Sequence, residues 1–102
     1  MSFRVRFTQE ARADLLRLYD FLLDQDPPDV ETAERALESI ERAMQLLEYF
    51  PFSCRKAISH NPYLRELVIP FGSSGYVALF EIEPQAYVTI LAVRRQRESD
   101  YH

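Results

Sequence analysis

Hydrophobic and polar positions alternate with a period of two at the start of the chain. Phe3, Val5 and Phe7 are separated by Arg4 and Arg6, which predicts a short strand with one buried face. The period then lengthens. Thr8 stands where an N-cap is expected, and Glu10 in the first turn suits the positive end of a helix dipole. Ala11, Leu15, Leu18, Tyr19 and Leu22 follow at helical spacing, while Glu10, Arg17, Asp20 and Asp24 fall mostly on other faces. Asp26-Pro27-Pro28 stops this helix, because proline lacks the amide donor and restricts the residue before it. Asp29 then caps a second helix with a cleaner stripe, Ala33, Ala36, Leu37, Ile40, Met44 and Leu47. Glu38 and Arg42 stand four apart, the favourable order for a surface pair. Pro51 ends the run. Two amphipathic helices joined by a short Pro-rich link predict an antiparallel helical hairpin.

From Phe52 to Pro62 the composition is mixed and reads as a loop or an irregular strand. Leu67, Ile69 and Phe71 then share one strand face, with Arg65 on the same parity. Gly72-Ser73-Ser74-Gly75 holds both glycines of the chain and marks a turn. Tyr76 to Ile82 forms the next strand, and Glu83-Pro84-Gln85-Ala86 the next turn. Tyr87 to Val93 is apolar on both parities, as an interior strand covered on both faces would be. The order is β-α-α-β-β-β. It predicts an α+β fold, an antiparallel curved sheet with the helical hairpin packed on one face.

Length and composition narrow the function. A chain of 102 residues fits one domain spanning residues 1–102. At 47% apolar and 27% charged residues it is expected to be globular rather than disordered. Cys54 is the single cysteine, so no internal disulfide or thiolate cluster is available. The N-terminus lacks a continuous apolar segment, and no stretch approaches a membrane span. A cytoplasmic protein is expected, with no membrane partner. The net charge of −4 argues against a protein that coats nucleic acid, since that affinity comes from Lys and Arg on phosphates. The charge is uneven. Residues 1–50 carry 6 basic and 11 acidic side chains, and residues 51–102 carry 6 and 5.

The basic side chains of the second half gather at Arg94, Arg95 and Arg97, where the last apolar strand ends. A sheet end carrying Arg94, Arg95 and Arg65 suits a phosphate or carboxylate, which guanidinium forks pair bidentately. The alternative is a solvated strand end partly neutralised by Glu98 and Asp100. No phosphate loop, His-Glu-x-x-His, Cys-x-x-Cys or Gly-x-Ser-x-Gly motif is present. Cys54 beside Arg55 and Lys56 reads as a loop cysteine, His60 as a turn residue, His102 as a frayed terminus and Met44 as core. Neither metal nor cofactor is implied. Leu16, Phe21 and Leu23 lie off the main stripe of the first helix. They either widen its buried face or line an apolar groove for a partner helix.

Several segments together resemble the RelE/ParE superfamily of type II toxin–antitoxin toxins, in the ParE-like branch of plasmid stabilisation proteins. They are Phe7-Thr8-Gln9-Glu10-Ala11-Arg12-Ala13-Asp14-Leu15, Leu46-Leu47 up to Pro51, and Leu64-Arg65-Glu66-Leu67-Val68-Ile69-Pro70-Phe71. Gly75-Tyr76-Val77-Ala78-Leu79-Phe80 and Ile90 to Glu98 with Tyr101 complete the set. The order and spacing of these segments cover nearly the whole chain.

The resemblance implies a toxin neutralised by a cognate antitoxin, whose C-terminal segment wraps it as extended chain and helix. RelE-like members cleave mRNA in the ribosomal A site, whereas ParE-like members poison DNA gyrase. Arg65, Arg95 and Tyr101 match positions used by nuclease members, with His102 as a possible terminal acid, and the same positions occur in ParE-like chains. The resemblance also implies that a nuclease member carries a face rich in lysine and arginine. Lys56 is the single lysine here. The lysine count and the net charge favour gyrase over the ribosome, with Arg65, Arg94, Arg95, Arg97 and Tyr101 as target-binding residues and no direct sequence-specific DNA contact. Leu16, Phe21 and Leu23 are the expected antitoxin contacts.

Overall fold

A computed structural model describes residues 2–24, 27–72 and 74–96 of the chain. The elements are β1 (Arg4–Phe7), α1 (Gln9–Leu23), α2 (Val30–Leu47), a 3₁₀ turn (Pro51–Ser53), β2 (Arg55–Lys56), β3 (Leu64–Phe71), β4 (Ser74–Glu83) and β5 (Tyr87–Arg95). They form the expected α+β arrangement of two helices on one sheet. Both helix starts follow local chemistry. The Thr8 hydroxyl accepts the Ala11 amide at 3.1 Å, and the Asp29 carboxylate accepts the Thr32 amide at 3.0 Å, each satisfying an otherwise orphaned donor. The Glu38–Arg42 pair forms on the outer face of α2.

The sheet order is β1-β5-β4-β3-β2. β5 is an interior strand, as its two-sided apolar pattern predicts. The β2–β3, β3–β4 and β4–β5 pairs are antiparallel, but β1 runs parallel to β5. The fully antiparallel expectation therefore needs one correction. Between β1 and β5 the chain passes through both helices and three strands, so no hairpin constrains their direction. The mixed stretch 52–62 supplies the short edge strand β2, held by Arg55 opposite Glu66 and Lys56 opposite Arg65. At the β3–β4 hairpin Gly72 has φ +61°, a left-handed conformation that glycine adopts without cost.

Register and alternation assign the two faces of the sheet. Val5, Phe7, Leu67, Ile69, Ala78, Phe80, Ile82, Val88, Ile90 and Val93 face the helices. They pack with Ala11, Leu18, Ala36, Ile40, Met44 and Leu47 in one hydrophobic cluster. The buried residues of α2 are those of its predicted stripe. Register slips between Leu79 and Phe80, so Leu91 of β5 is the extra residue of a bulge. The bulge lies just past Ile90, where pairing with β1 ends.

Candidate functional site

β1 covers β5 only from Tyr87 to Ile90, so residues 91–95 would present a bare strand edge. Helix α1 closes it with side chains. The Thr8 amide donates to the Ile90 carbonyl at 3.0 Å, and the Thr8 hydroxyl reaches the Leu91 carbonyl at 3.4 Å. The Asp14 carboxylate accepts the Val93 amide at 2.8 Å, and the Arg17 guanidinium donates to the Val93 carbonyl at 3.5 Å. Asp14 is only 5% exposed, the one buried charged residue among those described. Asp14 is not among the residues that the helical stripe of α1 singles out. Its signal was position, three residues after Ala11 and four before Leu18 on the buried stripe of α1.

This clamp sets the strand that ends in Arg94 and Arg95. Arg95 lies on the helix side of the sheet, opposite Tyr76, with its guanidinium 4.0 Å from the centre of the Phe21 ring. This cation–π contact holds the guanidinium over the ring face at the end of α1. Leu18, Phe21, Leu22, Phe71, Gly72, Tyr76 and Arg95 line a cleft of ≈ 230 Å³ between the end of α1 and the β3–β4 hairpin. Burial pushes the Tyr76 hydroxyl above its usual range, and the Arg95 charge pulls it partly back. The described part of this cleft thus offers a cation and apolar walls. It offers no group that exchanges protons near neutrality.

Arg94 is on the opposite face, beside Val77, so the two adjacent arginines do not form one fork. Arg65 is elsewhere again. It lies on the strand four residues from Ile69, whose partner Tyr76 sits opposite Arg95, and so is displaced by roughly 13 Å along the sheet. The expected cluster of Arg65 with Arg94 and Arg95 at one sheet end is not formed. Arg65 instead donates to the carbonyls of Pro62 at 2.7 Å, Cys54 at 2.7 Å and Phe52 at 3.2 Å, and its guanidinium stands 5.4 Å from the Phe52 ring. It holds the 52–62 segment against β3. Burial in the same region raises the Cys54 thiol, against the opposing effect of Arg65. Arg97, Tyr101 and His102 lie outside the described residues.

Leu16 is 67% exposed and Phe21 41%, while Leu23 is half-buried. Leu16 therefore does not widen the buried face of α1. Phe21 serves the Arg95 cleft. A second apolar region lies at the far end of the molecule, where Phe3 meets Phe52 and Phe52 meets Tyr63 edge to face at 6.5 and 6.2 Å. These rings line a cleft of ≈ 600 Å³ with Ile82 and Pro84. No helix among the described residues is long and apolar enough to cross a membrane.

Residues 5–100 match the profile of the ParE toxin family of the type II parDE toxin–antitoxin system. The chain is 37% identical over 95 residues to Toxin RelE3 of Caulobacter vibrioides, an alignment covering 92% of this chain and 95% of the relative. Among solved structures, the chromosomal ParDE system of P. aeruginosa superposes with a TM-score of 0.72 at 22% identity, covering 92% of this chain and 96% of that one. The RelBE2 toxin–antitoxin complex of Mycobacterium tuberculosis gives a TM-score of 0.60 at 25% identity, with 93% and 99% covered.

Proposed function

Since this chain belongs to the ParE toxin family of type II toxin–antitoxin systems, we propose that it is a growth-inhibiting cytoplasmic toxin that acts by binding DNA gyrase and is neutralised by a cognate antitoxin. One observation carries the choice of gyrase. The sheet face turned away from the helices has an apolar centre formed by Val68, Pro70, Val77, Leu79 and Ala92, of which Val77 is 1% and Ala92 2% exposed. Of the cations on that face, Arg6 pairs with Glu83 at 2.8 Å and Arg55 with Glu66 at 3.1 Å, Arg4 stands on β1 opposite Tyr87, and Arg94 stands at one end of the apolar strip. The lone lysine, Lys56, shares the helix-side face with Arg65. Attack by an RNA 2′-hydroxyl needs a base, an acid and converging cations for the phosphorane charge. A face with this composition supports binding instead.

On this reading Arg95, seated on Phe21, anchors a carboxylate or phosphate of the target complex. Arg94, Arg97 and Tyr101 extend the contact, and Leu16, Phe21 and Leu23 meet the antitoxin. Arg65 acts indirectly by ordering the 52–62 segment. A gyrase supercoiling assay with the purified chain tests the reading: inhibition that Arg95→Ala weakens is expected, and no inhibition at large molar excess overturns it. A second reading, ribosome-dependent mRNA cleavage, draws support from the RelE name of the 37%-identical relative. There Arg95 would hold the phosphate, with Tyr101 or His102 at the proton transfers, while Arg65 keeps its place on the 52–62 carbonyls. Cleavage on programmed ribosomes, lost in Arg95→Ala, would select it.

A further inference from the structure

The cleft at the Tyr87 end of the sheet combines an aromatic box with one uncommitted negative charge. Phe3 and Phe52 meet at an interplanar angle of 68°, and Phe52 and Tyr63 at 73°. Each of these rings stands nearly perpendicular to the next, so together they form walls rather than a stack. Phe52 and Tyr63 are exposed and are not spent on the core. Ile82, Pro84 and Ala86 complete the apolar lining, and the space they bound is ≈ 600 Å³, the size of a small-molecule site. It lies roughly 25 Å along β5 from Arg95, well away from the groups assigned to the target.

The polar groups of the lining decide what kind of molecule fits. Glu83 is committed, its carboxylate taking Arg6 at 2.8 Å and the Thr89 hydroxyl. Asn61 Oδ1 accepts the Tyr63 amide at 3.0 Å. The carbonyls of Tyr63, Glu83 and Ala86 accept the amides of Ile82, Ala86 and Arg4. Glu81, also in the lining, has no hydrogen-bond or ion-pair partner among the described residues. Arg65 stands 5.4 Å from the Phe52 ring, but its guanidinium is turned to three carbonyls and is not part of the lining. Ring faces and the Glu81 charge together favour a cation. With few acceptors to spare, a primary ammonium would give up hydrogen bonds to water that the cleft does not replace. A fully methylated ammonium has no N–H to satisfy and presents methyl groups to the rings. From this geometry we infer a binding site for a small molecule that carries a single quaternary ammonium on an apolar body. Phe3, Phe52 and Tyr63 surround the methyl groups, and Glu81 supplies the counter-charge. The site stands whichever target the toxin has.

Benzyltrimethylammonium titrated into the full chain and followed by NMR tests the site. Its neutral counterpart, with a tertiary carbinol in place of the ammonium, keeps the shape and removes the charge. Saturable shifts at the Phe3, Phe52 and Tyr63 side chains are expected, with the carbinol binding about tenfold more weakly. Tyr63→Leu keeps the apolar bulk but removes a ring, and should weaken the cation about tenfold while leaving the carbinol little changed. Glu81→Gln should weaken the cation about threefold and spare the carbinol. Both side chains lie outside the core, and retained amide dispersion in each variant confirms that the fold is kept. Absence of saturable shifts at the three rings overturns the inference. So does equal affinity for the cation and the carbinol, or a cation affinity unmoved in either folded variant.

Discussion

The Asp14 carboxylate accepts the Val93 amide at 2.8 Å, binding helix α1 to the strand that carries Arg94 and Arg95. It replaces a missing strand partner beyond the reach of β1. Asp14→Ala leaves a buried amide unsatisfied and should lower stability by about 1–3 kcal/mol. Asp14→Asn, which keeps an acceptor oxygen, should cost less. Urea unfolding of the two variants checks the order.

Arg65 and Arg95 should separate by function. Arg65→Ala removes donors to three carbonyls of the 52–62 segment and should reduce stability by about 1–3 kcal/mol. Arg95→Ala leaves those contacts intact. It should weaken target inhibition with little change in the unfolding midpoint. Thermal unfolding measured beside growth arrest on induction tests both; equal effects of the two variants on stability would refute the division.

Gly75 cannot carry a side chain. A Cβ there would fall well inside contact distance of the Ile69 carbonyl oxygen on the paired strand, with Gln96 Oε1 at 3.2 Å. Backbone must shift to make room, so Gly75→Ala should destabilise by about 1–3 kcal/mol. The matched substitution Gly72→Ala meets no neighbour but has a positive φ, and its cost is conformational. Comparing the two in chemical denaturation tells crowding from strain.

Acid should loosen two surface networks. Hydrogen bonds from Thr89 and then Arg6 hold the Glu83 carboxyl below its ordinary 4.5, and bonds from Thr32 hold Asp29 below 3.8. A folded-state value below the unfolded one gives stability that is present above the unfolded value. That stability is lost as pH falls through the folded one. The stability curve should therefore decline from about pH 4.5 downward, with a shallower decline in Glu83→Gln and Thr32→Val. Unchanged slopes in both variants would remove these groups from the acid response.

Much of the fold was legible along the chain. Thr8 and Asp29 announced both helix starts, the stripe from Ala33 to Leu47 marked the buried face of α2, and the glycines marked the β3–β4 hairpin. These are local effects, in which each residue acts on neighbours within a turn or a pleat. The parallel pairing of β1 with β5 was not legible, because it joins residues more than eighty positions apart with no turn to constrain their direction.

The site divides along the same line. That arginines gather after the last apolar strand, and that this chain has one lysine, is settled by the sequence itself. Which arginines act together was decided only by tertiary structure. Strand alternation sends Arg94 and Arg95 to opposite faces, register carries Arg65 down the sheet to the 52–62 carbonyls, and packing of α1 on β5 brings Phe21 under Arg95 and buries Asp14. Periodicity assigns a residue to one face of its own element. The neighbour it meets across that face depends on how the elements pack, and that comes from the summed burial of the whole core.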